Sequence, residues 1–270
     1  ALAVASASSA SDLDTMQHEG VLVRANGGRD VAFRHHILFD FAASRLLLDP
    51  ANPQALAATL VGPAALALAP ALGFVLNEAW AAHPHHGDFW QIALAVAGDS
   101  AADPIARSVI ARQAAELPAD RGDTQRLVDA MFDAAIRDAG LRVLRNLLGA
   151  LSVRHEDGAP INAAPWITVA IALPNLIATG WEGPIGALRL LLHILTDRNN
   201  ETPAERQELG KVARAFLGIA LDHPNAGSQI AISFVGKTYE TDCAASRASL
   251  EPLLAAERLD AFAERDGPAL

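Results

Sequence analysis

From residue 50 onward the chain is a succession of apolar segments at helical spacing, each closed by a short polar break, and this alternation limits its fold more than any other feature. The breaks fall at "HPHHGD", "ELPADRGD", "RHEDGAP", "DRNNETP" and "DHPNAGS". Between and beyond them "FWQIALAVAG", "PIARSVIARQAAEL", "QRLVDAMFDAAIRD", "LRVLRNLLGAL", "IGALRLLLHIL", "AERQELGKVARAFLGIALD" and "PLLAAERLDAFAER" read as helices. Two starts are chemically explicit. Asp103-Pro104 places an N-cap acceptor before a proline at the first helical position, and Thr202-Pro203-Ala204-Glu205 is a capping box with proline inside it. Hydrophobic residues make up 51% of the chain but aromatics only 5%, so Ala, Leu, Val and Ile carry the core, which favours packed helices over a β-sandwich.

Helix pairs joined by short polar turns predict stacking of the kind found in helical-repeat proteins, a HEAT/TPR-like α-solenoid over residues 51–270. No residue pattern recurs at a constant period, so a compact irregular helical domain stays open beside it. The stretches 50–77 and 158–181 carry no charge over membrane-compatible lengths. Pro53, Pro63, Pro70, Gly62 and Gly73 interrupt the first and Pro160, Pro165 and Pro174 the second, which predicts short buried helices broken by turns and no membrane partner.

Residues 1–50 read differently. "LDTMQHEGVLV" ends a helix and enters a strand, "ANGG" is a glycine-rich turn, and "RDVAFR" returns as a second strand. Helix then hairpin is the closing half of a winged helix. A helix follows from about His35, with Leu38, Phe41, Ala42 and Leu46 along one face. Asp40 and Arg45 on it read as a surface pair.

Here Phe33-x-His35-x-x-x-x-Asp40-Phe41-x-Ala43 resembles the end of the winged-helix domain in STAND-type signalling NTPases of the NACHT-like branch. The upstream "EGVLV" before a short wing is similar too, and the likeness covers about residues 13–49. The doubled histidine, and Phe39 where many relatives have glutamine, depart from the pattern. The resemblance implies an upstream NTPase domain of the same polypeptide as partner, ADP or ATP with Mg bound there, and a downstream helical region that senses a protein or small-molecule trigger. It also implies that His35 contacts the β-phosphate of ADP in the closed state, while bacterial relatives act in signalling, transcriptional control and antiviral defence. An imidazole beside the free N–H groups and positive end of a helix favours an anion, so the chemistry is coherent. His36, rotated about 100° from His35 around a helix, cannot reach the same phosphate.

The remaining features narrow the function classes. With 21 Lys and Arg against 31 Asp and Glu, the formal charge is −10 and no basic patch appears, so nucleic acid is not an expected partner. The single Cys243 excludes an internal disulfide, fits a reducing cytoplasmic setting and reads as a semi-buried helix residue. The opening "ALAVASASSAS" at Ala1 lacks a basic n-region, which argues against a signal peptide and for a piece of a longer polypeptide. "AISFVGKT", Ala231 to Thr238, matches a relaxed P-loop, but Ile232, Phe234 and Val235 suit a core, and no strand leads into it. His83, His85, His86 and Asp88 of "HPHHGD" could hold a metal on paper; a solvated turn is the simpler reading, so neither a metal site nor a catalytic residue is expected. Two other classes stay open: a stand-alone α-helical scaffold binding a protein or peptide, and a metal-dependent enzyme built on those histidines.

Overall fold

The computed structural model describes residues 10–28, 30–197, 202–223 and 226–254, and they are mostly helical, with one small antiparallel sheet. Helix α1 (Ala10–His18) runs through Gly20, at φ +74°, into strand β1 (Leu22–Ala25). Strand β2 (Asp30–Phe33) returns antiparallel with Leu22 opposite Phe33 and Ala25 opposite Asp30. Asn26 and Gly27 turn the chain at positive φ, and the Asn26 amide donates to Asp30 Oδ2 at 2.6 Å, which accounts for Asn-Gly at this corner.

Helix α2 (His36–Leu46) follows directly. Its buried residues are Asp40, Ala43 and Ser44, with Leu48 just beyond, whereas Phe41 and Leu46 of the expected face are exposed. The helix is turned because its small residues Ala43 and Ser44, not its large ones, lie at the crossing with the helix beneath. Phe41 meets Phe74 edge-on at 6.0 Å, and Phe39 meets Phe33 at 6.1 Å, tying helix to hairpin. Arg45 pairs with Glu78 at 2.7 Å rather than with Asp40, which is buried.

The helices beyond are α3 (Pro53–Thr59), α4 (Pro63–Ala82), α5 (Gly87–Val96), α6 (Pro104–Glu116), α7 (Gln125–Phe132) and α8 (Arg137–Glu156). They continue with α9 (Ala164–Ala178), α10 (Ile185–Thr196), α11 (Pro203–Asp222), α12 (Ser228–Lys237) and α13 (Cys243–Leu250). Helices two apart in sequence pack side by side in two series: α2, α4, α6, α8, α10 and α12 in one, α3, α5, α7, α9, α11 and α13 in the other. Cross-packing of α4 on α5, α7 on α8, α9 on α10 and α11 on α12 joins the series. A single buried cluster runs from Ala43 to Leu253, with Phe89, Trp90, Trp166, Phe216 and Phe234 as its largest members.

The caps form where the spacing predicts them. Asp103 Oδ1 accepts from the Ile105 N–H at 2.8 Å, and Thr202 and Glu205 make both bonds of the capping box. Three readings require correction. Pro70 does not end α4, nor Pro174 α9. Pro70 and Leu66, whose carbonyl it cannot pair with, both lie on the exposed side of α4, open to solvent, whereas nothing in the packing accounts for Pro174, whose Ala170 is buried. The segment expected as one helix over 125–138 breaks after Phe132, because Asp133 Oδ1 accepts the Ala135 N–H at 2.9 Å and closes a local turn; α8 then starts at Arg137 and absorbs "LRVLRNLLGAL". Gly140 belongs to that helix, where a Cβ would stand 3.0 Å from the Met131 side chain, so its bareness permits the close crossing of α7 and α8. Cys243, read as semi-buried, is exposed at the start of α13. Of "PLLAAERLDAFAER" only the short turn Glu251–Leu254 is seen, and the rest lies outside the described residues.

Among the described residues one helix, Pro63–Ala82, is long and apolar enough to cross a membrane. Its Leu68, Leu72, Val75 and Leu76 are buried, and α4 packs against α2, α5 and α6.

Candidate functional site

His35 occupies the N-cap of α2 in extended backbone (φ −120°, ψ 131°), accepts the Leu38 N–H with its carbonyl, and makes no side-chain cap bond. His36 is the first helical residue; both histidines are exposed, and α2 has no acidic residue in its first turn to neutralise its positive end. The corner therefore presents an imidazole and free backbone donors to solvent, the elements of an anion contact.

The "HPHHGD" turn is dispersed rather than convergent. His86, at φ +49°, lies parallel on Trp80 with ring centroids 3.6 Å apart. Its Nδ1 faces the Trp80 carbonyl at 2.7 Å and its Nε2 faces Asp123 Oδ1 at 3.2 Å, so both nitrogens are engaged. Asp123 Oδ2 also accepts the Ala119 and Asp120 N–H groups at 2.7 and 2.8 Å, and the Trp90 indole donates to the Asp123 carbonyl at 2.7 Å. His83 reaches only Asp88, at 3.7 Å and in the open. This is a clasp between the α4–α5 turn and the α6–α7 loop.

Among the described residues the His and Asp side chains that do converge are His155, His193 and Asp197, whose ligand atoms all lie within 4.8 Å of one another. His193 and Asp197 are one helical turn apart at the end of α10, and His155 comes from the last turn of α8. His193 Nδ1 stands 3.3 Å and His155 Nε2 3.8 Å from Asp197 Oδ2, while Lys237, the last residue of α12, pairs with Asp197 Oδ1. Partial burial pushes the Asp197 carboxyl up, but the hydrogen bond and charge of Lys237, with His193 and His155 beside it, outweigh burial and hold it below the ordinary carboxylate range.

Lys237 is thus the end of a helix, not of a phosphate loop. Residues 228–237 are helical, Ala231, Phe234 and Val235 are buried, and the Thr238 hydroxyl donates to the Phe234 carbonyl at 3.0 Å. Elsewhere a groove of about 390 Å³ opens between α6 and α8, lined by Arg107, Ser108, Asn146, Gly149 and Val153, and the Arg107 Nε is buried there without a partner.

The spacing of His193 and Asp197 was visible in "HILTD"; His155, 38 positions earlier, joins them only through the packing of α8 on α10, and nothing local to the sequence marks it. No protein-family model matches the chain, and no curated protein or solved structure matches it either.

Proposed function

We propose that this chain is a regulatory and sensing segment of a STAND/NACHT-like signalling NTPase. In this reading α1, the hairpin and α2 are the end of a winged helix that locks the ADP-bound state, and the two series from α3 to α13 are a HEAT/TPR-like solenoid that detects a trigger. One observation carries it: α2, whose N-cap is the exposed His35, packs directly on α4, the next helix of its series. A shift in the stack is thereby transmitted to the imidazole that contacts the β-phosphate of ADP bound in the upstream NTPase core, a bistable contact biased from both ends. Ile37 and Phe41 are exposed on one flank of α2 and Leu46 on the other, apolar positions open to the upstream core. That core, not this segment, binds ADP or ATP with Mg, and the output is bacterial signalling or antiviral defence in the cytoplasm.

The test uses the full polypeptide that carries this segment behind its NTPase core. His35→Ala is expected to speed ADP release by about tenfold and raise basal output, since a donor specific to the closed state is lost. His36→Ala is expected to leave both near wild type. Equal effects from the two variants, or none from either, overturn the assignment of His35.

The groove between α6 and α8, with its unpartnered Arg107 Nε, favours a second reading, a stand-alone helical scaffold for a protein or peptide. The coding sequence upstream of residue 1 separates the two: a P-loop and an acidic Mg-binding strand support the first, and a start codon immediately before it supports the second.

A further inference from the structure

We propose that His155, His193 and Asp197 bind one divalent transition-metal ion of the zinc class, and that Lys237 competes with the ion for Asp197. The three donors come from the ends of α8 and α10, and Lys237 from the end of α12, so the C-termini of three successive helices of one series meet here. Helix C-termini carry unpaired carbonyls and the negative end of the macrodipole, which favours a cation here.

The geometry is close to that of a bound ion. With metal–nitrogen and metal–oxygen bonds of about 2.0–2.1 Å, tetrahedral ligands stand about 3.3 Å apart. His193 and Asp197 already show 3.3 Å, His155 stands 3.8 Å from Asp197, and all three ligand atoms lie within 4.8 Å of one another, so the side chains draw together to close on an ion. Two imidazoles and one carboxylate suit Zn²⁺ and its neighbours, whereas Ca²⁺ and Mg²⁺ call for oxygen-rich shells.

Side-chain exposures of 19% for His155, 27% for Asp197 and 52% for His193 leave the donors partly shielded yet open on one side. Three protein ligands then leave the fourth position to water or to a group supplied by a partner. In the ion's absence the Lys237 ammonium supplies the positive charge, on the opposite carboxylate oxygen from the histidines. Metal binding and the Lys237 pair therefore draw on the negative charge of the same carboxylate.

The experiment is a Zn²⁺ titration of the untagged 270-residue chain against a chromophoric chelator, with Co²⁺ absorption as a second readout of coordination geometry. One equivalent bound at micromolar affinity or tighter is expected, with a tetrahedral Co²⁺ spectrum. His193→Ala and His155→Ala are each expected to weaken binding by at least about tenfold, and Lys237→Ala to strengthen it. The double variant His83→Ala/His85→Ala is expected to bind as wild type. Because His193 is half exposed, its variant keeps the fold, and a zinc-dependent rise in melting temperature seen in wild type but missing in His193→Ala reads the site independently of the chelator. Absence of a stoichiometric ion, or binding unchanged in His155→Ala and His193→Ala, overturns the site. Loss of binding in the His83/His85 variant moves it to the other turn and also overturns it, and weaker binding in Lys237→Ala overturns the competition.

Discussion

Two histidine-bearing corners of this molecule invert what their sequences suggest. "HPHHGD" crowds three histidines and an aspartate into six residues, yet the fold pulls them apart: His86 goes inward to Trp80 and Asp123, while His83 and His85 stay at the surface. His155, His193 and Asp197 are spread over 43 positions, yet their ligand atoms converge within 4.8 Å. A turn has too few residues to point several side chains at one locus while satisfying its own backbone, and here His86 serves the backbone. Stacked helix ends return to the same place at every second helix, so residues far apart in sequence become neighbours. Proximity along the chain is therefore a poor guide to a site in a protein built this way, and helix-end position is a better one.

The comparison is broken most forcefully at Asp123. Its carboxylate accepts from the Ala119 and Asp120 N–H groups and faces His86 Nε2 at 3.2 Å, and with only 14% of the side chain exposed water replaces little of this. Asp123→Ala is expected to cost about 2–3 kcal/mol, read as a lower urea midpoint, because two backbone donors lose a charged acceptor and His86 loses the group it faces. His86→Ala, which removes the stacked ring and leaves a left-handed backbone under a Cβ without compensation, is expected to cost about 2 kcal/mol. Costs below about 0.5 kcal/mol for either would make the turn an ordinary surface loop and remove the contrast.

The convergent corner is expected to behave the opposite way. With metal chelated, His193→Ala is expected to change stability by less than about 0.5 kcal/mol, since its half-exposed ring gains little from a single ion pair. A cost above about 1.5 kcal/mol in chelator-treated protein would mark the cluster as a fold clasp like the first.

How much of this was legible follows from range. The caps at Asp103 and Thr202 and the Asn-Gly corner are local chemistry, and the fold keeps them as the residues imply. Pro70 misleads because Leu66, whose carbonyl it abandons, lies on the water-facing side of α4, and packing rather than local sequence decides which side that is. Large apolar residues do not mark the packed side of α2, because Ala43 and Ser44 allow a close crossing; Leu46, at 80% exposure, is the clearest case. His35 at the start of α2 was within reach of local reading, and His155 was not, since only the order of stacking puts α8 beside α10.

The smallest expected effect lies two residues from Asp123 in the same loop, and it separates burial from charge as the cause of the clasp's strength. Arg121 bridges to Glu208 of α11, one contact at 3.0 Å, with side chains 44% and 31% exposed. The hydrogen bond and charge of Arg121 hold the Glu208 carboxyl below its ordinary range, against some desolvation, and the same bond raises Arg121 further above neutrality. A carboxyl lowered by folding stabilises the fold above its unfolded value of about 4.3, and that contribution fades as the pH falls through the lowered folded value. Exposure and screening reduce it, so Glu208→Gln is expected to cost only about 0.3–0.5 kcal/mol at neutral pH. Urea midpoints of the two proteins should draw together as the pH drops from about 5 toward about 2, where both carry a neutral side chain. A gap that persists in acid would assign the loss to packing rather than charge, and a neutral-pH cost approaching that of Asp123→Ala would mean that the loop is held by its charges regardless of burial.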